Sequence, residues 1–386
     1  MVHYLSRDLV LHLIIFQAVL LLIALSNAHV LWRTARQYRL RSFPQVSVLV
    51  PARNEERNIA RCIGSLLAQD YPAFEVIALD DQSTDSTQAI LERIAHVETR
   101  LRVLPGQPLP PGWLGKNWAC AQLAAQAVGD LLLFTDADTY HESQALRACV
   151  TALQGEHADL LTGFPRQVVR TWGERFIVPF FGWVFYCFMP LWLAYRLKAP
   201  ALSIAVGQML LLRRTAYDAI GGHAAVRASV AEDLDLARRI KACGYRWRVL
   251  DATRLISCRM YGSGREAYGG LCKNLFAAFG FRVLPYLFAW LWLAMMFLEP
   301  PLLLGAHALG LAPQAQAVPI LLCMGLSLAL WLVPYQRLGL PWYLGALYPL
   351  TLLVIELVAA CSLWLSVTGR LTWKGRALVR PQLRWI

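Results

Sequence analysis

The chain has 386 residues, 57% of them hydrophobic and only 16% charged, with a mean hydropathy of +0.43. Soluble domains carry about 25% charged residues, so this composition excludes disordered, collagenous and coiled-coil classes and argues for a membrane protein. Lys and Arg outnumber Asp and Glu by 37 to 25, a net charge of +12. Such a balance fits nucleic acid, anionic lipid or an anionic substrate. Beside so much apolar sequence, lipid and a phosphate-bearing substrate are the expected partners, and nucleic acid is not. The nine cysteines are scattered, with no CxxC pair and no Cys/His ligand spacing. They read as reduced, mostly buried thiols of a cytosol-facing part.

The first predicted element is a transmembrane helix over residues 9–32, long enough for a hydrocarbon core of about 30 Å. Arg33, Arg36, Arg39 and Arg41 follow it directly. The positive-inside rule then puts residue 33 onward in the cytoplasm and the N-terminus outside. Positive charge after the apolar run, rather than before it, argues against a cleaved signal peptide. From Phe43 to about Lys273 short β-rich runs alternate with helical patterns. VSVLVPA (46–52), EVIALDD (75–81), LRVLP (101–105) and DLLLFTDAD (130–138) read as buried parallel strands. Between the first two, Ile59, Cys62, Ile63, Leu66 and Leu67 recur at helical spacing. This alternation predicts a doubly wound parallel sheet, whose ligands bind outside the carboxyl ends of the strands. Three of the four strands end there in polar or acidic clusters: ARNEE, DDQSTD and DADT.

Residues 176–197 are apolar enough to cross a membrane, but they interrupt the soluble region, and strand-like SIAVGQMLLLRR (203–214) follows them. An aromatic-rich, Pro-broken segment of this kind is expected to lie in the interface. Hydrophobic segments return at 283–309, 316–333 and 341–367, within a membrane region of 283–367. The tail over 370–386 carries Arg370, Lys374, Arg376, Arg380 and Arg384, which predicts a cytoplasmic end. Three full crossings from the cytoplasm would leave that tail outside, so one segment is expected to be re-entrant or interfacial. An uncharged loop near 310–318 and Arg337 in the next loop favour crossings at 283–309 and 316–333. The last segment, with Pro349 and Glu356 inside it, would then be the irregular one, and Glu299-Pro300-Pro301 makes the first a rival. No internal repeat, P-loop, GxSxG elbow or HExxH helix is present.

Several clusters can carry chemistry. Asp136 and Asp138 end an apolar strand two residues apart, where paired carboxylates can meet Mg²⁺ or Mn²⁺ and share it with substrate phosphates. Asp is also ordinary turn chemistry at a strand end. Asp80 and Asp81 end another strand, although Ser83 to Asp85 also suits a helix cap. Arg53, Asn54 and Glu55 end the first strand, where they can hydrogen-bond a base or ribose, or simply start the next helix. The turn-rich loop PGQPLPPGWLGKNWA (105–119) has Lys116 at its centre. A mobile loop could present that lysine to a diphosphate, or be an ordinary connector. SVAEDLDLARRIKACG (229–244) has a complete helix account: Ser229 as N-cap, Glu232, Asp233 and Asp235 in the first turn, Gly244 as the stop.

In combination and in order, VSVLVPARNE, LDDQSTDST, TDADT, GQMLLLRRTAYDAIGGH and AEDLDLARRIKACGYR resemble the family 2 glycosyltransferases of GT-A fold, over about residues 44–275. Within the family, the chain looks like the membrane-bound enzymes that glycosylate lipids, among them ceramide glucosyltransferase and the hopanoid- or carotenoid-associated bacterial transferases. Those share the N-terminal anchor, the C-terminal hydrophobic segments, a GWLGK-type loop and a WKGR-like tail, here Trp373 to Arg376. The resemblance implies an α/β, GT-A doubly wound Rossmann-like sheet with an N-terminal transmembrane helix and C-terminal transmembrane helices.

It also implies roles. Asn54, Glu55 and Asp81, with Arg53 beside them, hold the nucleotide. Asp136 and Asp138 form the DxD-type metal and diphosphate site, with Mg²⁺ or Mn²⁺ as the cofactor, and Lys116 faces the diphosphate. Asp233, in the pair Glu232-Asp233, is the catalytic base. Many relatives have a QxxRW motif after that pair, and this chain has none there. Gln382-Leu383-Arg384-Trp385 has the wrong spacing and lies at the extreme C-terminus. Arg265, Lys273 and Asn274 stand in the expected region and are candidates for positive charge near the diphosphate. The missing motif weighs against a processive polysaccharide synthase. The function implied is a metal-dependent inverting glycosyltransferase, moving a sugar from a UDP-linked donor to a hydroxyl of a membrane lipid. Its setting would be the cell membrane, as a multi-pass protein with the catalytic domain facing the cytoplasm. The alternatives left open are a polyprenyl-phosphate glycosyltransferase or polysaccharide synthase, a transporter, and a nucleotide-sugar sensor.

Overall fold

Strands buried on both faces read as continuous runs of Val, Ile and Leu, and such runs supply one eight-stranded sheet here. The structure is a computed structural model and describes residues 7–34, 38–40, 42–312, 316–373, 376–377 and 382–385. Of the basic clusters, Arg36, Arg41, Lys374 and Arg380 lie outside the described residues. The chain divides into two units. One comprises His29–Val168 and Leu191–Met260, the other Met1–Ala28, Val169–Pro190 and Tyr261–Ile386.

The first of these units holds the sheet. Its strands are β1 (Val46–Ala52), β2 (Phe74–Asp80), β3 (Leu101–Pro105), β4 (Leu131–Phe134), β5 (Thr139–His141), β6 (Leu160–Gln167), β7 (Leu210–Arg213) and β8 (Trp247–Cys258). They lie in the order β3-β2-β1-β4-β7-β6-β8-β5. The pairs β1–β2, β2–β3 and β1–β4 are parallel, as the alternating pattern predicts. The sheet is not parallel throughout, however: β7 runs antiparallel to both β4 and β6, and β5 antiparallel to β8. The register of β7 is held where Arg213 N–H donates to the Asp159 carbonyl and Arg214 N–H to that of Asp130, each at 2.9 Å.

Two predicted strands are shorter than their apolar runs. The run at 203–214 keeps only β7, because a turn at Gly207–Gln208 bends the chain before Leu210. The run at 130–138 keeps only β4, because the Asp136 carbonyl accepts from both Thr139 N–H (3.3 Å) and Thr139 Oγ1 (2.8 Å), closing a tight turn. The helix Ile59–Leu67 buries Ile59, Cys62, Ile63, Leu66 and Leu67 as their spacing predicts. Ser229 is not the N-cap expected of it. The helix is Glu232–Ala242, capped by Ala231. Ser229 Oγ instead accepts from Ala231 N–H at 3.2 Å and donates to Asp235 Oδ2 at 2.7 Å.

The second unit is helical. Four helical stretches of the chain are long and apolar enough to cross a membrane: Val10–Thr34, Val283–Ala308, Ala317–Arg337 and Tyr348–Thr368. Residues 176–197 instead fall in the short helices Trp172–Ile177, Pro179–Phe188 and Leu191–Ala194. At about 1.5 Å per residue, none of these reaches across a bilayer core. The last apolar segment, 341–367, expected to be irregular, is a short helix, Trp342–Ala346, followed by the uninterrupted helix Tyr348–Thr368. Pro349 sits in the first turn of the long helix, where a missing N–H costs nothing. The break falls instead in the rival segment, between helices Val283–Phe297 and Glu299–Ala308, where Pro300 and Pro301 offer no N–H to the preceding turn.

Several polar side chains inside this unit bond from one helix to another. Gln17 Nε2 donates to the Met296 carbonyl (3.1 Å) and to Ser327 Oγ (3.0 Å). Asn27 Nδ2 donates to the carbonyls of Tyr186 and Met189 at 2.9 and 2.7 Å. Trp183 stacks on Trp331 with centroids 4.2 Å apart and donates from Nε1 to the Leu330 carbonyl.

Candidate active site

A cleft at the carboxyl ends of β1 and β4 is lined by Pro51, Thr135, Asp136, Lys116, Gly207, Glu232 and Asp233, with Phe134, Leu210, Cys120 and His223 behind them. Separate chain segments meet there, and local structure positions each. The turn after β4 delivers Asp136. Lys116 comes from the first turn of the helix Gly115–Gln126, so the expected mobile loop is, at the lysine, already helix. The next residue, the buried Asn117, clamps the approach to the Glu232 helix. Its Nδ2 donates to the carbonyls of Val226 (2.9 Å), Arg227 (3.1 Å) and Ser229 (2.9 Å). That clamp brings the acidic pair to the lysine: Lys116 Nζ is 2.8 Å from Asp136 Oδ1 and 2.9 Å from Glu232 Oε1.

Asp233 accepts from Gly207 N–H at 2.8 Å through Oδ2 and from Leu234 N–H at 2.7 Å through Oδ1. The bare Gly207 leaves room for the lysine ammonium. A Cβ there would lie 2.9 Å from Lys116 Nζ and 3.6 Å from both Asp136 Oδ2 and Asp233 Oδ2.

Charge and burial set the proton affinities. Burial, reinforced by the Glu232 charge, lifts the Asp233 pKa to about 7 against the pull of Lys116 and the two N–H donors. Asp138 is likewise raised by burial, then by the charges of Asp136 and Glu55, and is partly relieved by a bond from the Cys258 thiol. Burial alone would lower Lys116, but Asp136 and Glu232 outweigh it and keep its ammonium charged well above the ordinary lysine range. His223, behind the cleft, is held neutral by burial with its pKa near 3, its Nδ1 2.8 Å from the Tyr217 hydroxyl.

Arg53, Asn54, Glu55 and Asp81 form the neighbouring edge. The Arg53 guanidinium donates to the Asp81 carbonyl and stands 3.7 Å from its Oδ2. Asn54 takes a left-handed conformation at φ 53°, which asparagine tolerates better than most residues. In it, Asn54 N–H reaches Ser83 Oγ (2.9 Å) and Oδ1 accepts from Thr84 N–H (2.8 Å). Glu55 N–H donates to Thr87 Oγ1 at 2.8 Å, and its Oε2 accepts from Asn58 Nδ2 at 3.0 Å. These contacts latch the loop after β1 to the loop after β2. Lys273, by contrast, belongs to the helical unit, on the helix Gly264–Ala278.

The donor set suits a small hard cation. Asp138 Oδ1 is buried without a hydrogen-bond partner, and the nearby donors are carboxylate oxygens. Among the described residues no group of three or more His, Cys, Asp or Glu could hold an ion unaided. A pair of carboxylates that leaves the remaining positions to water and substrate phosphates is how Mg²⁺ is ordinarily bound.

Residues 47–221 match the family model "Glycosyl transferase family 2". The chain carries a family 2 glycosyltransferase domain. A 4,4'-diaponeurosporenoate glycosyltransferase of Staphylococcus haemolyticus is 26% identical over 239 residues, covering 60% of this chain and 60% of that protein. A beta-monoglucosyldiacylglycerol synthase of a Nostoc species is 28% identical over 246 residues, covering 61% of this chain and 51% of the relative. The chain thus spans between half and two thirds of the length of these curated relatives. The mannosyltransferase PcManGT of Pyrobaculum calidifontis, solved with GDP-Man and Mn²⁺, superposes with a TM-score of 0.50 at 19% identity, over 90% of this chain and 99% of its own. At that identity the likeness establishes the fold, which is GT-A.

In the glycosyltransferase domain the fold brings together Lys116, Asp136, Glu232 and Asp233 from separate motifs. Sequence reasoning missed the roles of Gly207, Asn117 and Cys258. Gly207 and Asn117 lay within quoted motifs, but nothing in a sequence marks a glycine as the floor between two carboxylates. Cys258 carried no signal beyond being one of nine scattered cysteines.

Proposed function

We propose that this domain is an inverting glycosyltransferase that moves a sugar from a UDP-linked donor to a hydroxyl group of a membrane lipid at the cytoplasmic face of the cell membrane. The observation that carries the reading is the convergence of the base candidate Asp233, Asp136 and Lys116 around Gly207. A displacement at the anomeric carbon needs both a base and groups that stabilise the leaving diphosphate. Asp233 accepts the acceptor hydroxyl proton as the new O–C1 bond forms, while the C1–O bond to the diphosphate breaks with its electron pair. The two backbone N–H donors hold the Asp233 carboxylate, and the charge of Glu232 raises its proton affinity. A base with its pKa near the working pH contributes about 10²–10⁴-fold. Asp136 and Asp138 would hold Mg²⁺ or Mn²⁺, which when bound supplies Lewis-acid neutralisation of the leaving diphosphate. Arg53, Asn54, Glu55 and Asp81 are assigned to the nucleotide, and Lys116 to the diphosphate.

The lipid acceptor is supported by the four apolar helices and by relatives whose names carry a diaponeurosporenoate and a diacylglycerol acceptor. The test is purified protein in detergent with a panel of UDP-sugars, GDP-mannose as the contrasting donor, and membrane lipids, followed by mass spectrometry of the lipid fraction. A glycolipid formed from a UDP-sugar is expected. Sugar-phosphoryl-polyprenol, polymer, or no transfer from any donor would replace the reading.

A further inference from the structure

Lys116 Nζ bonds at 2.8 Å to an oxygen of Asp136, one of the two carboxylates assigned to the divalent ion, and at 2.9 Å to Glu232. An ammonium group and a divalent cation compete for one carboxylate oxygen, because sharing it would set two positive charges within a few ångströms in a cleft of reduced dielectric. We propose that Lys116 is a built-in counter-ion. It occupies the metal-facing side of Asp136 in the donor-free enzyme, keeps a divalent ion out, and exchanges its carboxylates for phosphate oxygens only when a nucleoside diphosphate arrives. This rests on assigning Asp136 and Asp138 to the metal and diphosphate.

The surroundings allow the exchange. The Lys116 backbone is fixed in the first turn of a helix whose Asn117 is clamped by three hydrogen bonds. The side chain remains 39% exposed on its flexible stem. Gly207 leaves the space in which Nζ sits, since a methyl there would come within 2.9 Å of it. With Nζ withdrawn, Asp136 Oδ1 joins the unpartnered Asp138 Oδ1 as a hard donor. The diphosphate supplies the anions that both the lysine and the metal need, so ion and nucleotide enter together.

The test is Mn²⁺ binding to the full-length protein in detergent, without nucleotide, followed by paramagnetic resonance of the free ion. Wild type should bind weakly and Lys116→Arg no better. Lys116→Gln should bind at least about tenfold more tightly, equivalent to about 1.4 kcal/mol. Adding UDP should tighten Mn²⁺ by a larger factor in wild type than in Lys116→Gln. The same difference is read as a thermal shift: Mn²⁺ alone should raise the midpoint of Lys116→Gln and leave wild type nearly unmoved. Lys116→Met, which keeps the volume of the stem, repeats both readings if the amide variant does not fold. Equal or weaker Mn²⁺ binding by the uncharged variants overturns the counter-ion. Tighter Mn²⁺ binding with no response to UDP in any chain would keep the counter-ion and remove the nucleotide assignment.

Discussion

Asp233 gains its proton affinity from where it sits. Burial and the neighbouring Glu232 favour the neutral acid, while Lys116 and two backbone N–H groups favour the carboxylate, and the balance falls at about 7. Because the folded pKa is raised, the basic form appears only as pH climbs through that value. The transfer rate should therefore rise between about pH 6 and 8 and level off above, and a flat profile would remove Asp233 as the base. Asp233→Asn keeps the size and one acceptor oxygen for the Gly207 N–H but cannot take a proton. Its rate should fall by about 10²-fold or more, with calorimetric UDP affinity little changed. Asp138→Asn should differ in kind, weakening metal-dependent UDP binding as well as transfer. A near-normal rate in Asp233→Asn would leave the acidic pair as a helix-dipole feature only.

Between elements, close approach of backbones decides more than side-chain pattern. In the helical unit the helices Trp172–Ile177 and Gly264–Ala278 touch through glycines: a Cβ on Gly173 would lie 2.6 Å from Gly264 Cα, and one on Gly264 2.8 Å from Gly173 Cα. Neither neighbouring atom can rotate away, since both are backbone. Gly264→Ala is expected to force the two helices apart at a cost of about 1–3 kcal/mol, read as a lower thermal midpoint of the detergent-solubilised protein. An unchanged midpoint would show that this crossing yields without loss. In the sheet unit the latch between the loops after β1 and β2 rests on Asn54 in a conformation that β-branched residues avoid. A sequence shows Asn54 as a polar residue at a strand end; only its partners Ser83 and Thr84, about 30 positions away, reveal the latch.

For the whole molecule, two measurements bear on the proposed setting. Excess EDTA should abolish transfer and added Mn²⁺ or Mg²⁺ restore it; full turnover in the chelator would end the metal assignment. Reporter fusions at 42 and 386 should report the same, cytoplasmic, side, because Arg33 and Arg39 precede one and Arg370 and Arg384 the other. A tail on the opposite side from residue 42 would mean that Val283–Ala308 crosses completely despite the proline break. The helix break before Glu299-Pro300-Pro301 makes that stretch, rather than the uninterrupted Tyr348–Thr368 helix, the candidate for incomplete crossing.

Local rules determined much of this protein. Apolar runs ending in polar or acidic clusters were legible as β1, β2 and β4, because a strand buried on both faces must be apolar along its length and polar only where it leaves the sheet; β3, read as buried, is instead a partly exposed edge strand, a place that sheet order and not composition decides. Helix Ile59–Leu67 and the four long apolar stretches followed from periodicity and length alone. The antiparallel turn of β7 was not legible, since strand direction depends on where the chain returns and not on the composition of Leu210–Arg213. Nor did any local pattern pair Lys116 with Asp136 and Glu232, 20 and 116 positions further along the chain. Their distances depend on an Asn117 clamp and a bare Gly207, and such long-range contacts exist only once the tertiary fold has brought separate segments together.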